Sequence, residues 1–318
     1  MIPAYDAEAV HHLLDMPGCI GAVREAMARL SADGTAQPLR AVIEPGPGRM
    51  FALMPGCLVA PGGFGAKLLS IVEDPARPGR SRHLGIVVLF DRDSGAVRCT
   101  GDAESITAIR TAAASAVATA AMARPDARTA AIFGTGEQAR SHVRAMATIR
   151  SFDEIAIWGR SEAAGRELIA ELQPDLTVPL RFEPDPRAAA AGADVICTVT
   201  GAVTPILRSE WVRKGMHINV VGSGFAGPVE VDSALVARAW YIADSRHSAL
   251  SAAAEFLAAK AAGLIADDHI RGEIGDVLNG TVTGRPDDEV VTIYKSLGHV
   301  VQDLAAMAYV DERARALV

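Results

Sequence analysis

A chain of 318 residues, half of them hydrophobic, is long enough to bury two cores, so two domains are the natural division. A formal net charge of -7 speaks against a nucleic-acid footprint or docking on anionic lipid. Scattered cysteines (Cys19, Cys57, Cys99, Cys197), no basic N-terminal leader and no apolar run near the roughly 20 residues of a membrane span point to a cytoplasmic protein with free thiols and no metal site.

Residues 7 to 30 return apolar side chains at three- and four-residue spacing and predict a helix. A zone of short apolar runs follows, at 41–43, 50–54, 66–72, 84–90 and 96–99, punctuated by Gly, Pro and the turn Asp91-Arg92-Asp93-Ser94-Gly95. This reads as an antiparallel sheet. An alanine-rich helix over 106–123 ends at Arg124-Pro125. Strands at 129–133, 154–158, 194–199, 217–221 and 239–243 then alternate with helix-length connections, the pattern of a doubly wound parallel sheet. The last stretch begins as Val290-Val291-Thr292-Ile293-Tyr294 and continues as an amphipathic helix.

Between the strand ending at Phe133 and the helix starting at Glu137 lies Gly134-Thr135-Gly136-Glu137-Gln138-Ala139, a G-x-G-x-x-A turn. In that context the first glycine makes the tight turn and the second lets a pyrophosphate approach the backbone. The small third residue packs helix on strand, and the helix N-terminus faces the anion. Gly134, Thr135, Gly136, Gln138 and Ala139 are therefore the candidate dinucleotide contacts. The next strand runs into Gly159-Arg160-Ser161, with no acid before Glu162 to hold a ribose 2′-hydroxyl. NADP is favoured over NAD on that ground. Arg160 also reads as a solvated cation, and Ser161 as a helix cap.

Lys67 interrupts the apolar run 64–72, so it either faces solvent or is aimed into a site. Arg110 opens a nearly chargeless helix and suits a bidentate grip on a carboxylate. Arg40 starts the sheet zone.

Several segments resemble the ornithine cyclodeaminase/mu-crystallin family, in family order. They are Gly65-Ala66-Lys67, Val88-Leu89-Phe90-Asp91, residues 105–116, the turn at Gly134 and Ala193-Asp194-Val195-Ile196-Cys197-Thr198. Thr292-Ile293-Tyr294-Lys295-Ser296-Leu297-Gly298 and Gln302-Asp303-Leu304-Ala305 complete the set. The resemblance implies an α/β homodimer with a Rossmann doubly wound sheet at 116–292. That sheet is inserted into a smaller α+β substrate and dimerisation domain at 1–115 with 293–318. It also implies that Arg40, Lys67 and Arg110 surround the carboxylate of a small imino or amino acid, that Lys67 polarises or protonates the reacting centre, and that Thr198 lines the cofactor site.

The family's cyclodeaminases carry Gly-x-Asp-x-Pro-Gly-Lys after the fourth Rossmann strand. Here the stretch is Gly222-Ser223-Gly224-Phe225-Ala226-Gly227-Pro228, with Gly224 at the aspartate position and Pro228 at the lysine. Neither transfers a proton, so ornithine cyclodeamination is disfavoured and hydride transfer to a C=N bond is favoured. Lys67, or a water held by Ser223, would assist the proton step. His83 is a second candidate acid, and Asp303 is expected to fix a cation or a helix end. The rivals are a true cyclodeaminase using catalytic NAD and a non-catalytic NADPH-binding protein like mu-crystallin.

Overall fold

A computed structural model describes residues 2–33, 37–59, 62–73, 81–224 and 227–317. The chain forms two compact units, Met1–Thr111 with His299–Val318, and Ala112–Gly298.

The first unit opens with β1 (Ala4–Tyr5), α1 (Ala7–Leu13) and α2 (Met16–Asp33). The single helix predicted here is two, because the chain carries two caps. Asp6 accepts from Ala9 N, and Asp15 Oδ1 accepts from Gly18 N at 2.8 Å, starting α2 afresh. Pro17 fits that first turn, where a missing N–H has no partner to lose.

Strands β2 (Ala41–Gly46), β3 (Arg49–Cys57), β4 (Phe64–Glu73), β5 (Ser81–Phe90) and β6 (Val97–Asp102) follow. They form a six-stranded sheet in the order β1-β6-β5-β4-β3-β2, antiparallel except where β1 meets β6. Alternation gives the sheet two distinct faces. One buries Ala52, Met54, Lys67, Leu69, Val87 and Leu89. The other leaves Ile43, Phe64, Leu84 and Ile86 exposed, with Phe64 stacked on Phe90 at 5.2 Å.

Asp102 Oδ1 accepts from Ser105 N and starts α3 (Ala103–Met122), which is buried almost all round and contains the division between the units. The second unit contains the predicted strands with β9 added and with no α-helix between β10 and β11: β7 (Thr129–Phe133), α4 (Glu137–Ile149), β8 (Glu154–Trp158), α5 (Glu162–Leu172), β9 (Leu180–Phe182), α6 (Pro186–Ala191), β10 (Val195–Thr198) and β11 (His217–Val220). It closes with α7 (Ser233–Arg238), β12 (Trp240–Ala243), α8 (Arg246–Ala252), α9 (Ala254–Ala261), β13 (Ile270–Glu273), α10 (Ile274–Leu278) and β14 (Thr292–Lys295). The eight-stranded sheet is parallel throughout, in the order β13-β12-β14-β11-β10-β7-β8-β9. The order reverses between β7 and β10, the switch point at which such sheets hold ligands beyond their carboxyl ends.

β14 enters this sheet between β11 and β12, so the larger unit extends to Gly298 and a boundary at 293 would fall inside a strand. Only then does α11 (Val300–Ala316) return to the first unit. Its first two turns are buried on every side, packed against α2 and against β3, β4 and β5.

Two histidines are locked into the larger core. His142 Nδ1 lies 2.7 Å from Gln138 O, which can only accept, so Nδ1 carries the proton and Nε2 accepts from Ser115 Oγ at 2.9 Å. Burial pushes His142 down to about 4, and burial with Arg285 nearby pushes His217 down to about 3. The unfolded chain therefore binds more protons than the folded one as pH falls below the ordinary histidine value of about 6.5. Stability present above that pH is lost on acidification. The urea midpoint should fall between pH 7.5 and 5, and His142→Gln should flatten that slope. A slope unchanged in the variant would remove His142 from the acid sensitivity.

Candidate active site

The turn after β7 has the geometry its sequence demands. Gly134 takes φ +145°, and a Cβ there would lie 2.9 Å from Val199 Cγ2 and 3.0 Å from Val199 O. Its N–H donates to Trp158 O at 2.8 Å, tying the end of β7 to the end of β8. Gly136 is different: a Cβ there would meet nothing within 4 Å among the described residues, so the glycine leaves space instead of relieving a clash. It is also the N-cap of α4 and offers no side-chain cap, so the first-turn N–H groups point toward that space. Ala139 is fully buried beneath the helix, and Gln138 Oε1 is buried with no partner among the described residues. An open cradle and an uncapped thirteen-residue helix fit a dinucleotide pyrophosphate. Thr135 packs where a Cβ on Gly159 would come within 2.5 Å of its Cγ2, which keeps the β8 turn close.

On the β8 side, Arg160 is exposed, and Ser161 caps α5 by accepting from Ala164 N. Thr198 ends β10 wholly buried, its hydroxyl donating to Glu230 Oε2 at 2.9 Å. Ser223 is likewise buried. Its hydroxyl donates to Glu255 and accepts from Lys295 Nζ at 2.6 Å, which also donates to Ser223 O at 2.8 Å. The hydroxyl hydrogen of Ser223 is thus committed to a side chain of its own unit. Lys295 Nζ sits 3.2 Å from Glu255 Oε2. Glu230 accepts from Thr200 N, Thr200 Oγ1, Thr198 Oγ1 and Gly222 N. Burial pushes its carboxyl up, while those donors and Lys295 oppose the shift. Lys295, Glu230 and Glu255 thereby clamp the loop after β11 from inside, an arrangement not foreseen from sequence. The signal was present in a lysine ending the apolar strand Thr292-Ile293-Tyr294-Lys295.

Gly224 lies in that loop. Among the described residues, a Cβ added to it would meet only Leu297 O at 4.0 Å, room for a side chain that the sequence does not supply. Phe225 and Ala226, and the side chain of His83, lie outside the described residues.

The first unit gathers the charged residues. Lys67, midway along β4, is 2% exposed, Arg110 on α3 is 4% exposed and Asp303 on α11 is 0% exposed. Asp303 Oδ1 accepts from Lys67 Nζ at 3.0 Å and from Arg110 Nε at 2.8 Å. Arg110 Nη1 donates to Gln302 Oε1 at 2.8 Å, and Lys67 Nζ lies 3.4 Å from Thr107 Oγ1. Burial pushes Lys67 down to about 8; Arg110 and the half-buried Arg40 add to this, and Asp303 opposes it. Burial alone would raise Asp303, but Arg110 and Lys67 together hold it below the usual carboxylate value. Two buried cations meet one acid, and Arg40 adds to the positive field at Lys67, a setting suited to a carboxylate ligand. The solvent-facing alternative for Lys67 is excluded by its burial. Asp303 does fix a neighbouring cation, and it fixes two.

The open space at Gly136 yields a test that separates folding from binding. Gly136→Val should keep the wild-type unfolding midpoint and weaken NADPH and NADH binding, read by cofactor fluorescence, by about tenfold or more, at least 1.4 kcal/mol. Retained affinity would move the pyrophosphate away from this turn.

The profile of the ornithine cyclodeaminase/mu-crystallin family matches residues 4–317. A Delta(1)-pyrroline-2-carboxylate reductase from Bacillus cereus is 32% identical over 310 residues, covering 97% of this chain and 95% of the relative. The ketimine reductase mu-crystallin of Mus musculus is 34% identical over 310 residues, covering 96% and 95%. The structure of Thermococcus litoralis Delta(1)-pyrroline-2-carboxylate reductase in complex with NADH and L-proline matches with a TM-score of 0.94 at 26% identity, over 99% of this chain and 98% of that one. With the dinucleotide turn and the buried cation cluster both in place, the chain belongs to the ornithine cyclodeaminase/mu-crystallin family.

Proposed function

We propose that this protein is an NAD(P)-dependent oxidoreductase that reduces a small cyclic imino acid, with 1-pyrroline-2-carboxylate as the leading substrate. The observation that carries the reading is the convergence of two buried cations, Lys67 and Arg110, on the one carboxylate of Asp303, with Arg40 adding to the positive field at Lys67. The names of the Bacillus, mouse and Thermococcus relatives agree with it.

Reduction of C=N adds a hydride to carbon and a proton to nitrogen. The reduced dinucleotide, when bound with its pyrophosphate at the Gly134 turn, supplies the hydride. This chain's residues supply the rest. Arg110 and Arg40 hold the substrate carboxylate, which fixes the imine carbon in place. Lys67, whose lowered affinity for its proton suits donation near neutral pH, protonates the imine nitrogen. Cyclodeamination of ornithine would also need an acid-base group for the δ-amine, and Gly224 and Pro228 supply none.

NADP is the coenzyme we favour, since exposed Arg160 follows β8 and no acid precedes Glu162. NADH in the Thermococcus complex marks the alternative. The proposed setting is the reducing cytoplasm, consistent with four unpaired cysteines, three of them buried. The proposed assembly is a homodimer through the sheet face that exposes Ile43, Phe64, Leu84 and Ile86, since a contiguous apolar sheet face is the kind of surface an interface covers.

NADPH oxidation with 1-pyrroline-2-carboxylate should be rapid in the wild type and fall by about a hundredfold or more in Lys67→Ala, the range of a lost general acid. Arg160→Ala should lower the NADPH-to-NADH ratio of kcat/KM. Ammonia release from ornithine with catalytic NAD would overturn the reading in favour of a cyclodeaminase. Tight NADPH binding without turnover of any imine would favour a binding protein instead.

Sedimentation should give twice the 33.2 kDa chain mass for the wild type and a smaller species for Ile86→Asp. A dimer unaffected by that charge would place the interface elsewhere.

A further inference from the structure

We propose that Asp303 is a positioning residue for imine reduction: its Oδ1 holds Lys67 as a charged proton donor and turns Arg110 so that one edge of the guanidinium meets the substrate carboxylate. This rests on the reductase reading above.

The geometry is specific to the role. One oxygen of Asp303 takes both cations, while Oδ2 is buried with no partner among the described residues. A carboxylate placed only to neutralise Arg110 would grip it in bidentate fashion. Here two acceptors hold Arg110 at separate points, Asp303 on Nε and Gln302 on Nη1, and Nη2 carries no bond among the described residues. Two protein acceptors thus set the plane of the guanidinium and leave a nitrogen for a ligand.

The groups facing Lys67 and its partners come from four elements. α11 presents Asp303, α3 presents Arg110 and Thr107, and the segment before β2 presents Arg40. From α2, Cys19 lies near Arg110 and Asp303, and burial pushes its thiol far up, so it adds no charge. Asp303 is therefore the negative group that opposes burial and two arginines at Lys67. Removing its charge destabilises the protonated lysine, so a neutral residue at 303 must move the titration of Lys67 to lower pH.

The test is the pH profile of kcat/KM for 1-pyrroline-2-carboxylate, which reports free-enzyme groups. Wild-type kcat/KM should fall as pH rises through about 8, where Lys67 loses its proton. In Asp303→Asn the fall should begin at least about one pH unit lower, a tenfold change in proton affinity. Asp303→Glu should restore the wild-type midpoint even if kcat/KM stays lower. A lower plateau with an unmoved midpoint would leave Asp303 with a packing role alone and overturn the proposal. Asp303→Ser, smaller and uncharged, serves if the asparagine variant does not fold. The chain has four lysines, so Lys67 can also be titrated directly by NMR of 13C-lysine protein, with its signal assigned by Lys67→Arg. A lower Lys67 midpoint in the neutral variant sustains the Asp303 assignment even where the wild type reduces no imine, a result that would sink the substrate reading by itself. An equal or higher midpoint overturns the assignment.

Discussion

A lysine and an arginine with almost no access to water impose the first constraint on this molecule. Each would be costly to bury alone, so both converge on one carboxylate, Asp303. That carboxylate lies far along the chain, which explains the arrangement of the first unit. α11 must come back after the whole larger unit has been built and lie across the buried face of the sheet, with Asp303 opposite the middle of β4. Gln302 beside it accepts from the same arginine, and the rest of the first turns is apolar, so these polar contacts also fix the helix's rotation and its position along the sheet.

The larger unit solves a similar problem by other means. Glu230 and Glu255 share Lys295, and hydroxyl and backbone donors fill the remaining acceptor sites of Glu230. The cluster is a brace for the loop following β11. A Cβ on Gly222 would come within 2.0 Å of Thr200 O, so the loop can lie that close only with glycine there. Rigidity beneath the loop and room at Gly224 among the described residues sit side by side.

The parts of this design that depend on local pattern were legible in the sequence. The Gly134 turn, the strands of the parallel sheet and the alternating zone before α3 each announce themselves within a few residues. β9 and β13 were not legible. The first has three residues, and the second puts Arg271 and Glu273 into four residues at the sheet edge, where burial imposes no apolar run. The break between α1 and α2 was hidden because the apolar spacing continues across Asp15, whose role is a cap. Long-range pairing defeats sequence reading for a different reason. Nothing near Ser223 shows that Lys295 and Glu255 will claim its hydroxyl, and nothing near Lys67 shows which acid, more than two hundred residues on, will meet it. Lys67 and Arg110 stood out from the apolar runs around them; their common partner could only be named once the fold was known.

The place of β14 in the sheet has a consequence for how the chain is made. β11 and β12 are consecutive strands of the sheet in sequence, yet they are not neighbours: a strand synthesised last in the unit separates them. Until residue 295 has been translated, each presents an unpaired parallel edge to its surroundings. The nascent unit therefore cannot close from its N-terminus forward, and its assembly awaits a contact of long sequence separation, the kind that slows folding. The same late strand carries Lys295, so the arrival of the last strand and the neutralisation of the buried acids are a single event.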